Sequence, residues 1–378
     1  MSGLDGGGKA VSSFLRPFLR PPANVDREGR RIADRSSIMT DTSSIGPGWP
    51  PAESSCQRIK GIDTRGVVRD GARLAALLET LEALAGDLDA SGCDRLSLRA
   101  LFDDELLSRQ TAALEPWVEA VMPLDDGSGR CVVYLGRNAP SRPGDEADIE
   151  RALDHVEIAQ ERGPIEVSAM LERVRDGGYG LRILSQEERL KDESVLDAVA
   201  DLYRRFGWDR DETREILANA SSLIAVAAKA PSDGSAEEIV CAGIAELSHL
   251  RFDDGDELRM AEFTEAATRA EHQGHGLYSA VAATLMLEIA ERSQRGELLG
   301  GELDLGFGEC SGHDLGVLIA ARRLGRQFAL MTQRQRDWPY QGYLAQHVPI
   351  AGAPRSTRYN DLFPTYFSRQ ALYRFADS

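Results

Sequence analysis

Residues 271–293, EHQGHGLYSAVAATLMLEIAERS, set two histidines and two glycines against the start of a long apolar stripe. Glycine inside a helix costs roughly 1 kcal/mol relative to alanine, so Gly274 and Gly276 do not serve helix stability. Beyond them, Leu277, Val281, Leu285 and Ile289 recur every four residues, which predicts a helix with one buried face. The preceding stretch, LRMAEFTEAAT (258–268), reads as a strand, so the glycines fall where a strand hands over to a helix. The first four N–H groups of a helix have no internal partners, and the helix dipole adds about half a positive charge there. Without Cβ atoms the loop lets a phosphate approach those groups. On its own, the pattern is equally explained by an ordinary turn that uses two glycines.

Working outward, GYGLRILSQ (178–186) reads as a strand, DESVLDAVADLYRRFG (192–207) and DETREILANA (211–220) as helices, and SLIAVAAKA (222–230) as a strand. IVCAGIAELSHLRF (239–252) and LRMAEFTEAAT follow as strands around a DDGDE turn, then the helix placed at 274–292, strand ELDLGFGE and helix HDLGVLIAARRLG. The order β-α-α-β-β-β-α-β-α-β predicts an α/β (α+β) fold, a mixed sheet with helices on both faces, over residues 178–378. Residues 59–138 read as a smaller β-α-β-α-β-β domain whose last two strands form a hairpin around DDGSG (125–129). The charged segment 139–177 reads as a linker. Residues 1–58, rich in Gly, Pro, Ser and Arg, show no period and read as a disordered tail.

With 378 residues and 42% hydrophobic content the chain can build two cores. A net charge of −17 excludes the basic footprint that nucleic-acid binding needs, and it fits a cationic or zwitterionic small substrate or simple solubility. No run of about 18 apolar residues predicts a membrane helix, and the N-terminal stretch lacks the apolar core of a secretory signal. The five cysteines (56, 93, 131, 241, 310) lack CxxC spacing, which predicts reduced thiols, a cytoplasmic location and no zinc site. His272 and His275 stand three apart but have no third ligand in sequence, so no metal is expected.

Gln273-Gly-His-Gly276 resembles the Q/R-x-x-G-x-G/A signature of the GNAT acyltransferase superfamily, which follows that fold's fourth strand. TEAATRAEHQGHGLYSAVAATLM further resembles, without a gap, the T-D-x-A-T-x-x-E-x-R-G-x-G-L motif of the β-lysine N-acetyltransferase family. GCDRLSLRALFDDELLSRQTAALEPWVEAVMP with VVYLGR resembles that family's small N-terminal domain, so the resemblance spans roughly residues 60 to 335. It implies a GNAT-like fold and acetyl-coenzyme A, or another acyl-coenzyme A, as co-substrate. It places Ala267, Thr268 and Arg269 beside the pantetheine arm, and Gln273, Gly274, His275, Gly276, Leu277 and Tyr278 around the pyrophosphate. Glu265 falls on the family's aspartate and is the first candidate to hold or deprotonate the acceptor amine, because an amine must be neutral to attack a thioester. Glu262 is the reserve, expected by strand alternation on the other sheet face.

Four departures accompany the resemblance. Tyr278 replaces the last small residue of the signature, and Leu318 stands at the subfamily's asparagine. Ala321 stands where many members carry a tyrosine as general acid, and the chain from Gln327 runs longer than the subfamily's. Glu309 or Cys310 at the end of strand ELDLGFGE, or a tyrosine of RDWPYQGY, are the candidates for the missing acid. Arg322, Arg323 and Arg326 fit either a nucleotide 3′-phosphate or a solvated helix end. The tail aromatics Trp338, Tyr340, Tyr343, Tyr359, Phe363, Tyr366, Phe367 and Tyr373 are expected mainly to close the core. The resulting expectation is an N-acyltransferase acting on the amine of an amino acid or related small molecule. The alternatives are the same fold fed by an acyl carrier protein, and a GNAT-like binding protein without turnover.

Overall fold

The computed structural model describes residues 58–86, 88, 95–114, 116–138, 154–204, 210–230, 237–311, 314–328 and 362–377. The sequence readings for residues 1–57 and for Trp338, Tyr340, Tyr343 and Tyr359 lie outside the described residues.

The first unit runs β1 (Arg58–Val68), α1 (Gly71–Gly86), β2 (Arg95–Asp103), α2 (Asp104–Arg109), α3 (Thr111–Leu114), β3 (Val118–Pro123) and β4 (Arg130–Asn138). Its sheet order is β1-β2-β4-β3, with β1 and β2 parallel and the other pairs antiparallel. Leu74, Leu77, Leu81 and Leu84 of α1 bury against Leu96, Leu98, Phe102 and Val133 of the sheet. The β3–β4 hairpin turns at Gly127 and Gly129, both at positive φ (77° and 68°), a conformation that glycine adopts without steric cost.

The second unit runs α4 (Val167–Asp176), β5 (Tyr179–Ile183), α5 (Gln186–Lys191), α6 (Glu193–Tyr203), α7 (Arg210–Ala218), β6 (Ser222–Lys229), β7 (Glu238–Arg251) and β8 (Glu257–Thr268). After a 3-10 turn (Ala270–His272) come α8 (Leu277–Gln294), β9 (Leu305–Ser311), α9 (Leu315–Arg323), β10 (Gln327–Phe328), β11 (Leu362–Ser368) and α10 (Arg369–Ala376). The strands form one mixed sheet in the order β10-β11-β9-β8-β7-β6-β5, parallel only between β8 and β9. The predicted mixed α/β class is therefore the observed one.

Alternation along the strands gives the sheet two apolar faces. Ala225, Ala227, Ala245, Ala261 and Phe263 face α8, α4 and α10. Ile224, Val226, Ala242, Ile244 and Ala267 face α6 and α7. Farther along that second face, Leu258, Met260, Leu305 and Phe307 share a core with Ile62, Leu101, Met122, Val132 and Tyr134 of the first unit. The small domain thus covers the sheet face beneath β8 and β9.

Three sequence readings shift. The helix placed at 274–292 starts at Leu277, because Gly274 and Gly276 both sit at positive φ outside it. The segment read as a linker, 139–177, contains α4, whose Val167, Met170, Leu171 and Val174 are buried in the main core. Val156 and Ala159 of the same segment are buried in the shared core between the two sheets. The long C-terminal stretch also returns to the sheet, where β11 inserts between β9 and β10.

Candidate active site

β8 and β9 pair only from Met260–Leu305 to Glu262–Phe307. Past that point β8 stays paired with β7, while β9 pairs with β11 as far as Ser311–Leu362. The two parallel strands therefore part company, leaving residues 263–268 and 308–311 as the walls of a splay in the sheet. Along β8 the register with β7 slips between Ala242–Ala267 and Ile244–Thr264, so two residues, Glu265 and Ala266, oppose the single Gly243. This is a β-bulge, which leaves a residue out of the ladder and re-aims the strand. Gly243, opposite the bulge, makes room for α8: a methyl group there would lie 2.9 Å from Val281, but at an ordinary contact distance of 3.8 Å from the Ala266 Cβ.

The bulge begins after Thr264, so the pairing is regular from Glu262 to Thr264 and Glu265 falls within the bulge itself. The Glu265 side chain is outside the described residues; its backbone sits at the bulge. Glu262 belongs to the face covered by the small domain, where its carboxylate is 3.5 Å from the Arg99 guanidinium. Arg99 is buried, with its guanidinium carbon 4.9 Å from the Phe307 ring centroid and 5.7 Å from that of Tyr134. Burial works against its charge, but Tyr134, Glu262 and Glu309 together hold its pKa above the ordinary value. Glu262 thus has a structural partner that the sequence reading could not supply.

At the end of β8 the chain turns through Ala270–His272 into the glycine loop. Arg269 donates its N–H to the Val240 carbonyl (2.9 Å) and turns its guanidinium toward Glu238 (3.1 Å) and Asp201 (3.4 Å), so that N–H is already engaged. Thr268 places its hydroxyl 3.1 Å from the Cys241 sulfur, and the Gln273 amide reaches the Thr268 carbonyl at 3.5 Å. His272 Nδ1 lies 3.0 Å from the Tyr179 hydroxyl, and the Tyr179 ring also packs on His275 at 5.8 Å between centroids. Both histidines are thereby occupied in holding the loop against β5.

Gly276, at φ 75°, is the N-cap of α8 and supplies no side-chain cap. Gln273, Gly274, His275 and Gly276 are exposed, and a Cβ at Gly274 or Gly276 would meet nothing within 4 Å. The glycines thus serve the left-handed backbone first. The consequence is a helix that opens, among the described residues, without a side-chain cap for its leading N–H groups, the arrangement that attracts anions.

Leu277 packs in the core, whereas Tyr278 is half-buried, within electrostatic reach of Cys310, Arg326, Asp314 and Cys241. Burial pushes its phenol well above the ordinary value. Cys310, 3.6 Å from the Thr365 hydroxyl, is buried, and burial likewise pushes its thiol up. Both groups hold their protons at neutral pH. Leu318 and Ala321, the departures on α9, are buried in the shared core and reach no polar partner position. Arg326, read in sequence as a surface or nucleotide-facing residue, is instead 3% exposed, with its guanidinium carbon 4.3 Å from the Phe263 ring centroid. The only warning in the sequence was Gly325, whose positive φ of 81° ends α9 and turns the next residue inward.

No family model and no curated protein sequence matches the chain. Among solved structures, it overlaps Arabidopsis thaliana NAA60 in complex with acetyl-CoA at 9% identity and TM-score 0.34, covering 50% of this chain and 98% of that one. The ribosomal-protein-S18-alanine N-acetyltransferase from Escherichia coli overlaps at 13% identity and TM-score 0.32, covering 50% and 93%. An aminoglycoside acetyltransferase from an uncultured soil metagenomic sample, in complex with trehalose, overlaps at 16% identity and TM-score 0.27, covering 39% and 87%.

Proposed function

We propose that the chain is a GNAT-type N-acyltransferase that moves an acyl group from acyl-coenzyme A to the amine of an amino acid or related small molecule. One observation carries this reading. The splay between β8 and β9, the bulge at Glu265–Ala266 and the uncapped start of α8 lie consecutively along one stretch of chain. A pyrophosphate at the α8 N-terminus would leave the pantetheine arm running along β8 into the splay, beside Ala267 and Thr268. Backbone N–H groups at a bulge are free of the ladder and suit the oxyanion of a thioester under attack. The amine nitrogen bonds to the acyl carbon and the carbon–sulfur bond breaks. The amine loses one proton, with Glu265 as its acceptor, and the departing thiolate gains one. Tyr278 joins Glu309 and Cys310 as a group able to supply that second proton, since burial keeps the Tyr278 phenol protonated. No covalent acyl-enzyme is required.

The direct test is the melting temperature of the full chain with coenzyme A and acetyl-coenzyme A. A ligand at about 100 times its Kd adds roughly 2.7 kcal/mol to stability, a rise readily seen by calorimetry. Absence of any rise with saturating coenzyme A or its thioesters would sink the donor assignment, and an acyl carrier protein would then be tried as donor.

A further inference from the structure

Arg326 follows the Gly325 turn and reaches back across the sheet to the point where β8 and β9 separate. Its guanidinium lies over Phe263, the first β8 residue past the last β8–β9 pair, at Glu262–Phe307. On the β9 side, a methyl group added to Gly308 would come within 3.0 Å of its Nη1. The guanidinium therefore occupies the floor of the splay, between the two walls, with Tyr278 and Cys310 within reach of its charge.

Its partners set it apart. Arg99 has Glu262, Arg269 has Glu238 and Asp201, and Arg73 has Asp63 at 2.7 Å. Arg189 donates to the carbonyls of Ser222 and Asn219. All five have a buried Nε without a hydrogen-bond partner; Arg326, at 3% exposure, differs in that no carboxylate or carbonyl among the described residues receives its guanidinium. A buried cation left in that condition is costly, and a fixed planar fork of donors matches a carboxylate better than any other common group. Stacking on Phe263 orients the fork without neutralising it.

We propose that Arg326 is a substrate-binding residue that receives a carboxylate at the floor of the splay, so that one of the two reactants carries a carboxylate close to its reacting group. This deepens the acyltransferase reading and rests on it. Two sources share that chemistry: the ω-carboxylate of a dicarboxylic acyl thioester, or the α-carboxylate of an amino-acid acceptor. Gly308 contributes by omission, since any side chain there would press on the guanidinium.

The test uses the full chain and thiol release, with donors and acceptors in matched pairs. Succinyl-coenzyme A is set against butyryl-coenzyme A, and amino acids against their decarboxylated amines. The expected result is a preference of about 10²-fold or more in kcat/KM for the carboxylate-bearing member of one pair, which identifies the source. Arg326→Met should erase that preference, mainly through a raised KM for the carboxylate-bearing member. Arg326→Lys, which keeps the charge but not the fork, should restore part of it. No preference in the wild type in either pair overturns the proposal. So does an Arg326→Met or Arg326→Lys protein that melts like the wild type yet slows both members of a pair equally. If no pair turns over, the acyltransferase reading fails by itself and titration with glutarate decides the subsite. Saturable binding to the wild type that Arg326→Met abolishes keeps the subsite, and no binding removes it.

Discussion

Glu262 and Glu265 show how far single residues can be read without a partner list. Both are strand-end carboxylates in sequence; the motif resemblance made Glu265 the catalytic candidate, and the spacing of three left Glu262 as its reserve on the other face. The structure gives Glu262 a partner 163 positions away, the buried Arg99. No local pattern announces a contact between two domains. Glu265 sits on a bulge, which sequence alternation has no means of marking. The two substitutions should therefore separate cleanly. Glu265→Gln keeps the shape but loses the basic oxygen, so turnover should fall about 10²–10⁴-fold at neutral pH while coenzyme A binding stays unchanged. Glu262→Gln leaves Arg99 buried without a charged acceptor at that position, and should instead lower stability by about 1–3 kcal/mol with turnover within a few-fold. Calorimetry and amine-dependent thiol release on both variants decide. Equal losses of activity with unchanged melting would place both carboxylates in the chemistry and contradict the structural role of Glu262.

At the scale of elements, most of the chain was legible because its periods are clear. The apolar repeat of α8, the β3–β4 turn glycines and the strand runs of β6 to β9 all lie close to where the sequence puts them. Legibility failed where charge masks a pattern. In α4 the apolar residues Val167, Met170, Leu171 and Val174 are spaced as a helix face, but the surrounding Glu and Arg residues made the segment read as a linker. The glycine loop was found for a partly different reason than the one that builds it. Gly274 and Gly276 were assigned to close approach of a phosphate, whereas their φ values of 83° and 75° already demand glycine. Holding an L-residue in the left-handed region costs about 1–2 kcal/mol, and a β-branched one suffers most. Gly276→Val should therefore lower the melting temperature by a few degrees and, by distorting the cap, abolish the stabilisation given by coenzyme A. Gly71→Val, at the start of α1, lies where a Cβ also meets nothing within 4 Å and φ is ordinary, so coenzyme A binding should survive it. A Gly276→Val protein that retains the full coenzyme A shift would mean that the donor phosphates sit elsewhere.

At the scale of the molecule, the small domain completes a layer of the large one. The face of β8 and β9 that carries Leu258, Met260, Leu305 and Phe307 is covered jointly by Leu318 and Ala321 of α9 and by Ile62, Leu101, Met122 and Val132 of the small domain. Polar contacts fix the docking around this apolar centre. Val67 donates its N–H to Asp254 (2.9 Å), Asp253 donates to the Thr64 carbonyl (2.9 Å), and Arg130 pairs with Asp256 (3.1 Å). At the far side the Gln370 amide reaches the Asp125 carbonyl at 3.0 Å. The splay opens directly above this seam, since Glu262 and Phe307, its last paired residues, both belong to the docked face. Removing the small domain would expose a contiguous apolar surface at the base of the site, the kind of surface that aggregates. A fragment beginning at Gly163 keeps α4 and the whole second sheet, and it should be recovered insoluble or as a loosely packed species that binds the dye ANS. Adding residues 58–138 as a separate chain should restore solubility if docking alone is what the face lacks. The graded version is Asp254→Ala with Asp256→Ala, which leaves both cores intact but removes the Val67, Arg69 and Arg130 contacts. It should lower the melting temperature of the full chain and raise the proteolytic sensitivity of the seam without changing the acceptor preference. A soluble, fully active fragment starting at Gly163 would show that the second sheet closes its own core and that the small domain serves some other purpose.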